Sequence, residues 1–454
     1  MKKSYKRVIS KILLLALTLL IVFGSLSSCK LFSYVADTKG EINQNIEEST
    51  EVQKNTYVAQ YLRDWGLPIF NQTKFKYFED YFNRYFNLDG GLPDVYDHAK
   101  ETANLFVENY YDTIDINDKT VVTDKLLSCY VKAIGDPYST YRPPVETEDY
   151  MTDMTGKFGG IGVMVEYNDL DESIMINTVY PGSPAEKAGI RVGDYIYAVD
   201  GKTVSEIGYN DAVNHVRGEI GTSVELTLLR DGNYVTVTAI RAEVEELNVT
   251  YEIDSETNLG YVRIVAFKGN TFDQFKVAID TLESAGVDGI VFDLRSNPGG
   301  YVDSVVAVIS YLIPDGHTIM SYQYKGASKV ELISDDEGSD HVVDLPFVVI
   351  CNQNTASAGE IFTAAIRDYR NEGMLSATIV GTTTYKKGIM QNTYYYPLDN
   401  STVTITVAYY NPPCGVNYHG IGVSPDVYVE NDSYETDKQL DAAFIELQKL
   451  INAN

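Results

Sequence analysis

Hydrophobic positions change their rhythm along the chain. Ile12 to Leu26 is an apolar run of 15 residues broken only by Thr18, Gly24 and Ser25, and it follows the basic stretch Lys2, Lys3, Lys6, Arg7 and Lys11. A membrane span needs about 20 residues, so the run reads as the apolar centre of a secretory signal over residues 1–28. Residues 29–55 are polar and acid-rich (Glu41, Glu47, Glu48, Glu51) with no apolar period, as in a flexible tether. Residues 56–150 are rich in Tyr and Phe at helical spacing. The stripe Tyr96, Ala99, Ala103, Phe106, Val107, Tyr110 predicts a helix. From Phe158 to Ala242 the pattern turns to short strands with Gly turns, in a module over 151–244. Beyond Asn248, strands alternate with helices. Gly260–Phe267, Gly289–Leu294, Pro346–Cys351, Thr378–Gly381 and Val403–Tyr409 read as strands. Phe272–Ser284, Val302–Leu312 and Ser357–Tyr369 read as helices. Such alternation implies an α/β core with parallel pairing over 245–430. A last amphipathic helix, Glu435–Ile451, lies within 431–454. The fold class expected is therefore α/β (α+β) and multidomain, with no internal repeat.

Composition narrows the functions. With 454 residues, about three units of roughly 150 residues fit. The 36 basic and 64 acidic residues leave a net charge of −28, which disfavours nucleic acid as a partner. The signal ends in Leu26-Ser-Ser-Cys29, which resembles the lipobox of bacterial lipoproteins. That resemblance implies cleavage before Cys29, lipidation of its thiol and an extracytoplasmic protein anchored to a bacterial membrane. Removal of residues 1–28 takes away five positive charges and no acids, leaving net −33. Cys129, Cys351 and Cys414 then remain, an odd count that closes no disulfide framework. No pair has metal-ligand spacing, there is no His-Glu-x-x-His, and no cofactor is expected. His98, His215, His317, His341 and His419 are scattered, and His419 is expected at the surface.

The middle module reads Gly159-Gly-Ile-Gly-Val163, followed by Pro181-Gly-Ser-Pro-Ala and continuing to Val199-Asp-Gly201. This resembles a PDZ domain. Glycines let successive backbone N–H groups converge on an anion. A peptide can then add as a strand with its terminal carboxylate in that nest. Gly159, Gly160, Ile161, Gly162 and Val163 are the expected substrate-tail binders. The resemblance also places Arg217 where it can couple this module to the next domain.

Three later segments carry candidate chemistry. Asp293-Leu-Arg-Ser-Asn-Pro-Gly-Gly300 follows one strand and precedes a helix. It lacks the spacing of either nucleotide-phosphate loop. Asn352-Gln-Asn-Thr-Ala-Ser-Ala-Gly-Glu360 follows another strand, with Ser357 at the helix start, a position that suits an N-cap as well as a nucleophile. It is not the Gly-x-Ser-x-Gly elbow, because Thr355 stands at the first Gly. The third is Gly381-Thr-Thr-Thr-Tyr-Lys-Lys-Gly388, with Gln391 beyond.

Together with Gly135-Asp-Pro-Tyr-Ser139 and Gly420-Ile-Gly-Val-Ser-Pro-Asp426, these segments resemble the C-terminal processing peptidases, the S41 serine peptidases, over residues 120 to 430. The resemblance implies a protease core of the ClpP and crotonase-like type. It implies Ser357 as nucleophile, Lys387 as general base and Gln391 as the residue that orients the lysine. The backbone N–H groups of Gly300 and Ala358 become the oxyanion hole. Substrates would be protein carboxyl tails, and the helical terminal segments are candidates for pairing subunits. The rival from another class is a PDZ adaptor with a degenerate catalytic core.

The chemistry sets a condition. A lysine of ordinary pKa is neutral in about one molecule in 2,500 at pH 7, and burial favours the neutral amine. Lys387 is therefore expected in a dry pocket with neutral partners and no carboxylate. The chain departs from the family pattern in places. Ser357 and Lys387 are 30 positions apart, about five more than is usual there, with the surplus in 371–377. Lys386 stands where Gly is common, and Gly359 replaces a common Ser.

Overall fold

The computed structural model describes Val58 and residues 70–168, 173–335, 342–431 and 436–453. The signal 1–28, Cys29, the tether 29–55 and His341 lie outside the described residues.

Three helices come first: α1 (Gln72–Tyr85), α2 (Val95–Tyr110) and α3 (Lys119–Ala133). Each starts at a side-chain cap, Asn71, Asp94 and Asp118, whose oxygens accept the first free N–H groups. Helix α2 buries Ala99, Ala103 and Phe106 of the expected stripe, but Tyr96 faces solvent. Phe75, Phe78 and Phe82 of α1, Phe106 of α2 and Leu126 of α3 join one apolar core with Phe292, Phe362 and Ile405 far along the chain. Residues 70–150 are thus no independent body. They cover one side of the core formed by 245–430, and their strand β1 (Thr140–Arg142) pairs with a strand of that core.

Helix α4 (Pro144–Thr155) leads into the middle module. Its elements are β2 (Lys157–Gly160), β3 (Val163–Asn168), β4 (Ser173–Val179), α5 (Pro184–Lys187), β5 (Tyr195–Val199), β6 (Lys202–Thr203), α6 (Val204–Val216), β7 (Ser223–Arg230), β8 (Asn233–Ile240) and β9 (Ala242–Glu245). Strands β3-β4-β5-β7-β8 form an antiparallel sheet with β3 at its edge, and β2 pairs with β9. Ile161, Ile174, Ile176, Ile196, Leu226 and Leu228 give this module a core of its own.

The remaining strands are β10 (Val249–Asp254), β11 (Leu259–Ile264), β12 (Gly289–Asp293), β13 (Thr318–Gln323), β14 (Lys329–Ile333), β15 (Phe347–Cys351), β16 (Ala377–Gly381), β17 (Ile389–Tyr395), β18 (Thr402–Asn411) and β19 (Val427–Tyr428). The helices are α7 (Thr271–Ala285), α8 (Val302–Ser310), α9 (Ala358–Asn371) and α10 (Lys438–Ala453). One sheet runs β10-β11-β12-β15-β16-β19, parallel from β11 onward. Its central strands are buried on both faces, as parallel sheets require. Ile290 and Phe292 of β12 face the core shared with α7, α8 and α9. Val291 between them faces Ala443 and Leu447 of α10. Period-two alternation thus sends neighbours to opposite layers. A second sheet, β1-β18-β13-β14 with β17 on β18, stands beside the first.

Candidate active site

Strands β12, β15 and β16 are neighbours, so their carboxyl ends bring three chemistry-bearing loops to one place. In α/β sheets such ends form the ligand crevice. Side-chain and backbone bonds lock the loops together. Thr355 Oγ1 donates to Leu294 O at 2.8 Å, Ala356 N to Asn297 O at 2.8 Å, and Tyr385 N to Thr355 O at 2.9 Å. Asn297, fully buried, organises the first loop. Its Nδ2 donates to Ile264 O at 2.9 Å, and its Oδ1 accepts from Gly299 N at 2.8 Å.

Ser357 stands at the N-cap of α9 with φ 51° and ψ −114°. A non-glycine residue there carries about 1–3 kcal/mol of strain, which packing must over-determine. The Gly299 loop is that packing. A Cβ at Gly299 would lie 2.7 Å from Ser357 Cβ and 2.9 Å from Ala358 N. Gly300 bridges to Phe267: Phe267 N donates to Gly299 O and Tyr301 N to Phe267 O. The N–H of Gly300 therefore points away from Phe267. Ala358 opens α9, so its N–H has no carbonyl one turn earlier. Ala358 follows Ser357 directly in the chain, and Gly300 follows the Gly299 that packs on Ser357.

Glu360 was not assigned a role from sequence, though the Ser-x-x-Glu spacing of a capping box marked it. Its carboxylate is fully buried and accepts four bonds. Oε2 takes Ser357 N at 3.0 Å and Lys387 N at 2.8 Å. Oε1 takes Thr384 Oγ1 at 2.6 Å and Lys386 N at 2.7 Å. One anion holds the serine loop and the lysine loop in register.

Consecutive lysines part company on that loop. Lys387 turns inward, its Nζ 4.9 Å from the centre of the Tyr138 ring. Burial pushes its amine below the ordinary value, while Asp136 and Glu360 pull the other way. The expectation of a carboxylate-free pocket is thus corrected: two anions lie within electrostatic reach, and desolvation outweighs them. Lys386 turns outward to line a polar cavity of about 770 Å³ with Arg263, Arg295 and Tyr428. Its φ of +84° is the glycine-like conformation, the physical reason for Gly at this place in the family pattern. Gly388 permits close approach, since a Cβ would lie 2.7 Å from His419 N. His419 is accordingly half-buried rather than a surface residue, and its Nδ1 accepts from Gly388 N at 3.3 Å.

Gln391 does not reach Lys387 by a hydrogen bond in this structure. Its Nε2 donates to Thr406 Oγ1 at 3.2 Å. Thr406 Oγ1 donates in turn to Asp136 Oδ2 at 2.7 Å.

The chain is similar to known proteins. The profile of peptidase family S41 matches residues 258–429, and that of the PDZ domain matches residues 175–230. The chain is 34% identical over 347 residues to the carboxy-terminal processing protease CtpA of Bacillus subtilis (strain 168), covering 76% of this chain and 72% of that one. The chain belongs to peptidase family S41. A probable CtpA-like serine protease of Staphylococcus haemolyticus is also 34% identical, over 306 residues, 67% of this chain and 60% of that one. A putative S41 protease from Bacteroides fragilis shares the fold, with a TM-score of 0.50 at 18% identity over 81% of this chain and all of that one. This S41 chain is a serine-type peptidase with a PDZ domain, of the carboxy-terminal processing kind.

In its PDZ domain the edge strand β3 has an open side. The expected anion nest is shorter than the glycine run suggests. Gly159 and Gly160 lie in β2, paired to Glu243 and Ala242 of β9, which leaves Ile161 and Gly162 as the turn before Val163. A Cβ at Gly162 would lie 2.5 Å from Ser183 Cβ, so the turn needs glycine. Arg217 caps α6 and stacks its guanidinium over Phe158 at 4.5 Å. That contact keeps it beside the nest, within the PDZ domain.

Proposed function

We propose that this S41 peptidase is a lipid-anchored, extracytoplasmic endopeptidase that takes protein carboxyl tails in its PDZ groove and hydrolyses peptide bonds with a Ser357–Lys387 dyad. What carries the reading is the shared Glu360 carboxylate, which accepts the N–H of Ser357 and of Lys387 and so fixes nucleophile and amine loops together. Neutral Lys387 takes the proton as Ser357 Oγ attacks the carbonyl carbon. The tetrahedral oxyanion lies against the N–H groups of Gly300 and Ala358, each donor contributing on the order of 3 kcal/mol. The Lys387 ammonium returns the proton to the leaving amine, and water then hydrolyses the acyl-enzyme. The anchor rests on Cys29 and its preceding Leu-Ser-Ser. Tail capture rests on the open β3 edge beside Ile161 and Gly162.

The test is digestion of an unfolded protein by the full chain in detergent, with and without EDTA. Cleavage that survives chelation and vanishes in Ser357→Ala supports the dyad, and binding without cleavage defeats it. A substrate amidated at its carboxyl terminus should be cut more slowly than the free acid. Metabolic labelling with a fatty acid should mark the wild type and spare Cys29→Ala.

A further inference from the structure

The Asp-Pro-Tyr-Ser stretch lies 221 residues before Ser357 in the chain, measured from Asp136, yet the fold places it against the lysine. Asp136 is nearly buried and fully engaged. Its Oδ1 accepts from Tyr138 N at 3.1 Å, and its Oδ2 from Ser139 Oγ at 2.6 Å and Thr406 Oγ1 at 2.7 Å. Ser139 Oγ also receives Thr406 N at 3.2 Å. Gln391 completes the chain by donating to Thr406. A rigid assembly thus runs from β17 through β18 to the loop before β1, and its aromatic member, Tyr138, is the surface on which the Lys387 amine rests. Its oxygens are taken by these donors and none pairs with the lysine, so it acts on the Lys387 amine through space.

We propose that Asp136 is a positioning residue of the dyad: its hydrogen-bonded assembly, tied to Gln391 through Thr406, holds the Tyr138 ring against the Lys387 amine, and its negative charge acts on that amine. The inference rests on reading Lys387 as the general base. The groups acting on the amine are Asp136 and the Tyr138 ring from this loop and Glu360 from α9, while Tyr410 of β18 donates to the Lys387 carbonyl and Tyr385 interacts with Tyr138. Glu360 carries four donors and holds the loops, whereas removing the charge of Asp136 leaves those bonds in place. Of the two anions acting on the amine, Asp136 has the larger influence.

The experiment follows the rate at which a fluorophosphonate probe labels Ser357 in the full chain, as a function of pH. Labelling needs the activated serine and no known substrate. Asp136→Asn should shift the acid limb to lower pH by about one unit, since an anion that favoured the ammonium is gone. An unmoved limb, or one displaced to higher pH, overturns the proposal. Thr406→Val keeps the charge and cuts the link to Gln391. It should lower the plateau rate several-fold with the limb in place, and a plateau equal to wild type overturns the relay even if Asp136→Asn does not fold. Lys387→Ala is the separate control. Labelling at the wild-type rate there removes the base reading itself, whereas a silent Lys387→Ala beside an unmoved Asp136→Asn limb removes only this inference.

Discussion

Two lysines of this chain are buried among aromatic rings and carboxylates, and they end in opposite states of engagement. Lys74 on α1 is 3% exposed, and its Nζ pairs with Asp124 at 2.9 Å and Asp399 at 2.8 Å. Tyr141 donates its hydroxyl to Asp124 at 2.6 Å, and the rings of Tyr141 and Tyr396 lie within 6 Å of the ammonium. Lys387 has an aromatic face too, that of Tyr138. Among the described residues, however, no carboxylate is within ion-pairing distance of it. Asp136 is turned to Ser139 and Thr406, and Glu360 to backbone N–H groups. Burial alone therefore does not make a base. Saturating nearby carboxylates with other donors lets desolvation win, whereas direct pairing fixes a cation that staples α1 and α3 to the turn after β17.

The comparison is broken most severely at the site. Ser357→Ala and Lys387→Ala should each lower peptide hydrolysis by at least about a thousandfold, with circular dichroism unchanged. Lys387→Ala with full turnover would move the base role elsewhere. The next largest effect belongs to the other lysine. Lys74→Ala leaves two carboxylates without their cation and should cost about 3 kcal/mol in urea unfolding, with catalysis intact in the folded fraction.

The pH behaviour separates them further. The Lys387 pKa lies below the ordinary 10.5, so hydrolysis should rise with pH along a limb below that value. Stability should rise in the same window. Between the lowered and ordinary values the unfolded chain holds a proton that the folded chain does not, and stability then climbs with pH. Lys387→Met should erase that climb and stabilise the fold at neutral pH by about 1 kcal/mol, readable as a raised thermal midpoint. A lowered midpoint would mean the amine is paired. The smallest effect is Lys386→Gly. It relieves the left-handed backbone and should gain about 0.5 kcal/mol, with turnover unchanged. Lost turnover would put Lys386 in the chemistry.

Local signals made much of the core legible. The apolar runs Gly289–Asp293 and Phe347–Cys351 stand as buried parallel strands, and the helices 271–285 and 358–371 begin within a residue of expectation. Ser357, Gly300 and Ala358 come to one edge of the sheet because each lies on the loop that follows such a strand, where a motif of few residues dictates backbone direction. The hairpin β13–β14 and strand β17 carry no clear period in the sequence. The lysine pocket was harder still. Nothing near Lys387 in the chain announces Asp136 or Tyr138, and Gln391 is bonded through Thr406 to Asp136 rather than to the lysine.

Patterning and motifs by themselves settled the buried parallel strands of the core, which loops carry the serine, the lysine and the glycines, and which family the chain resembles. These are short-range matters of side-chain period and backbone freedom. Folding decided the rest: that Lys386 points out and Lys387 in, that the glycine nest is only partly open, and that a buried amine has two anions nearby whose oxygens are already occupied. An ionisation equilibrium depends on everything within several ångströms, and only the packed chain brings residues 136, 360 and 387 that close.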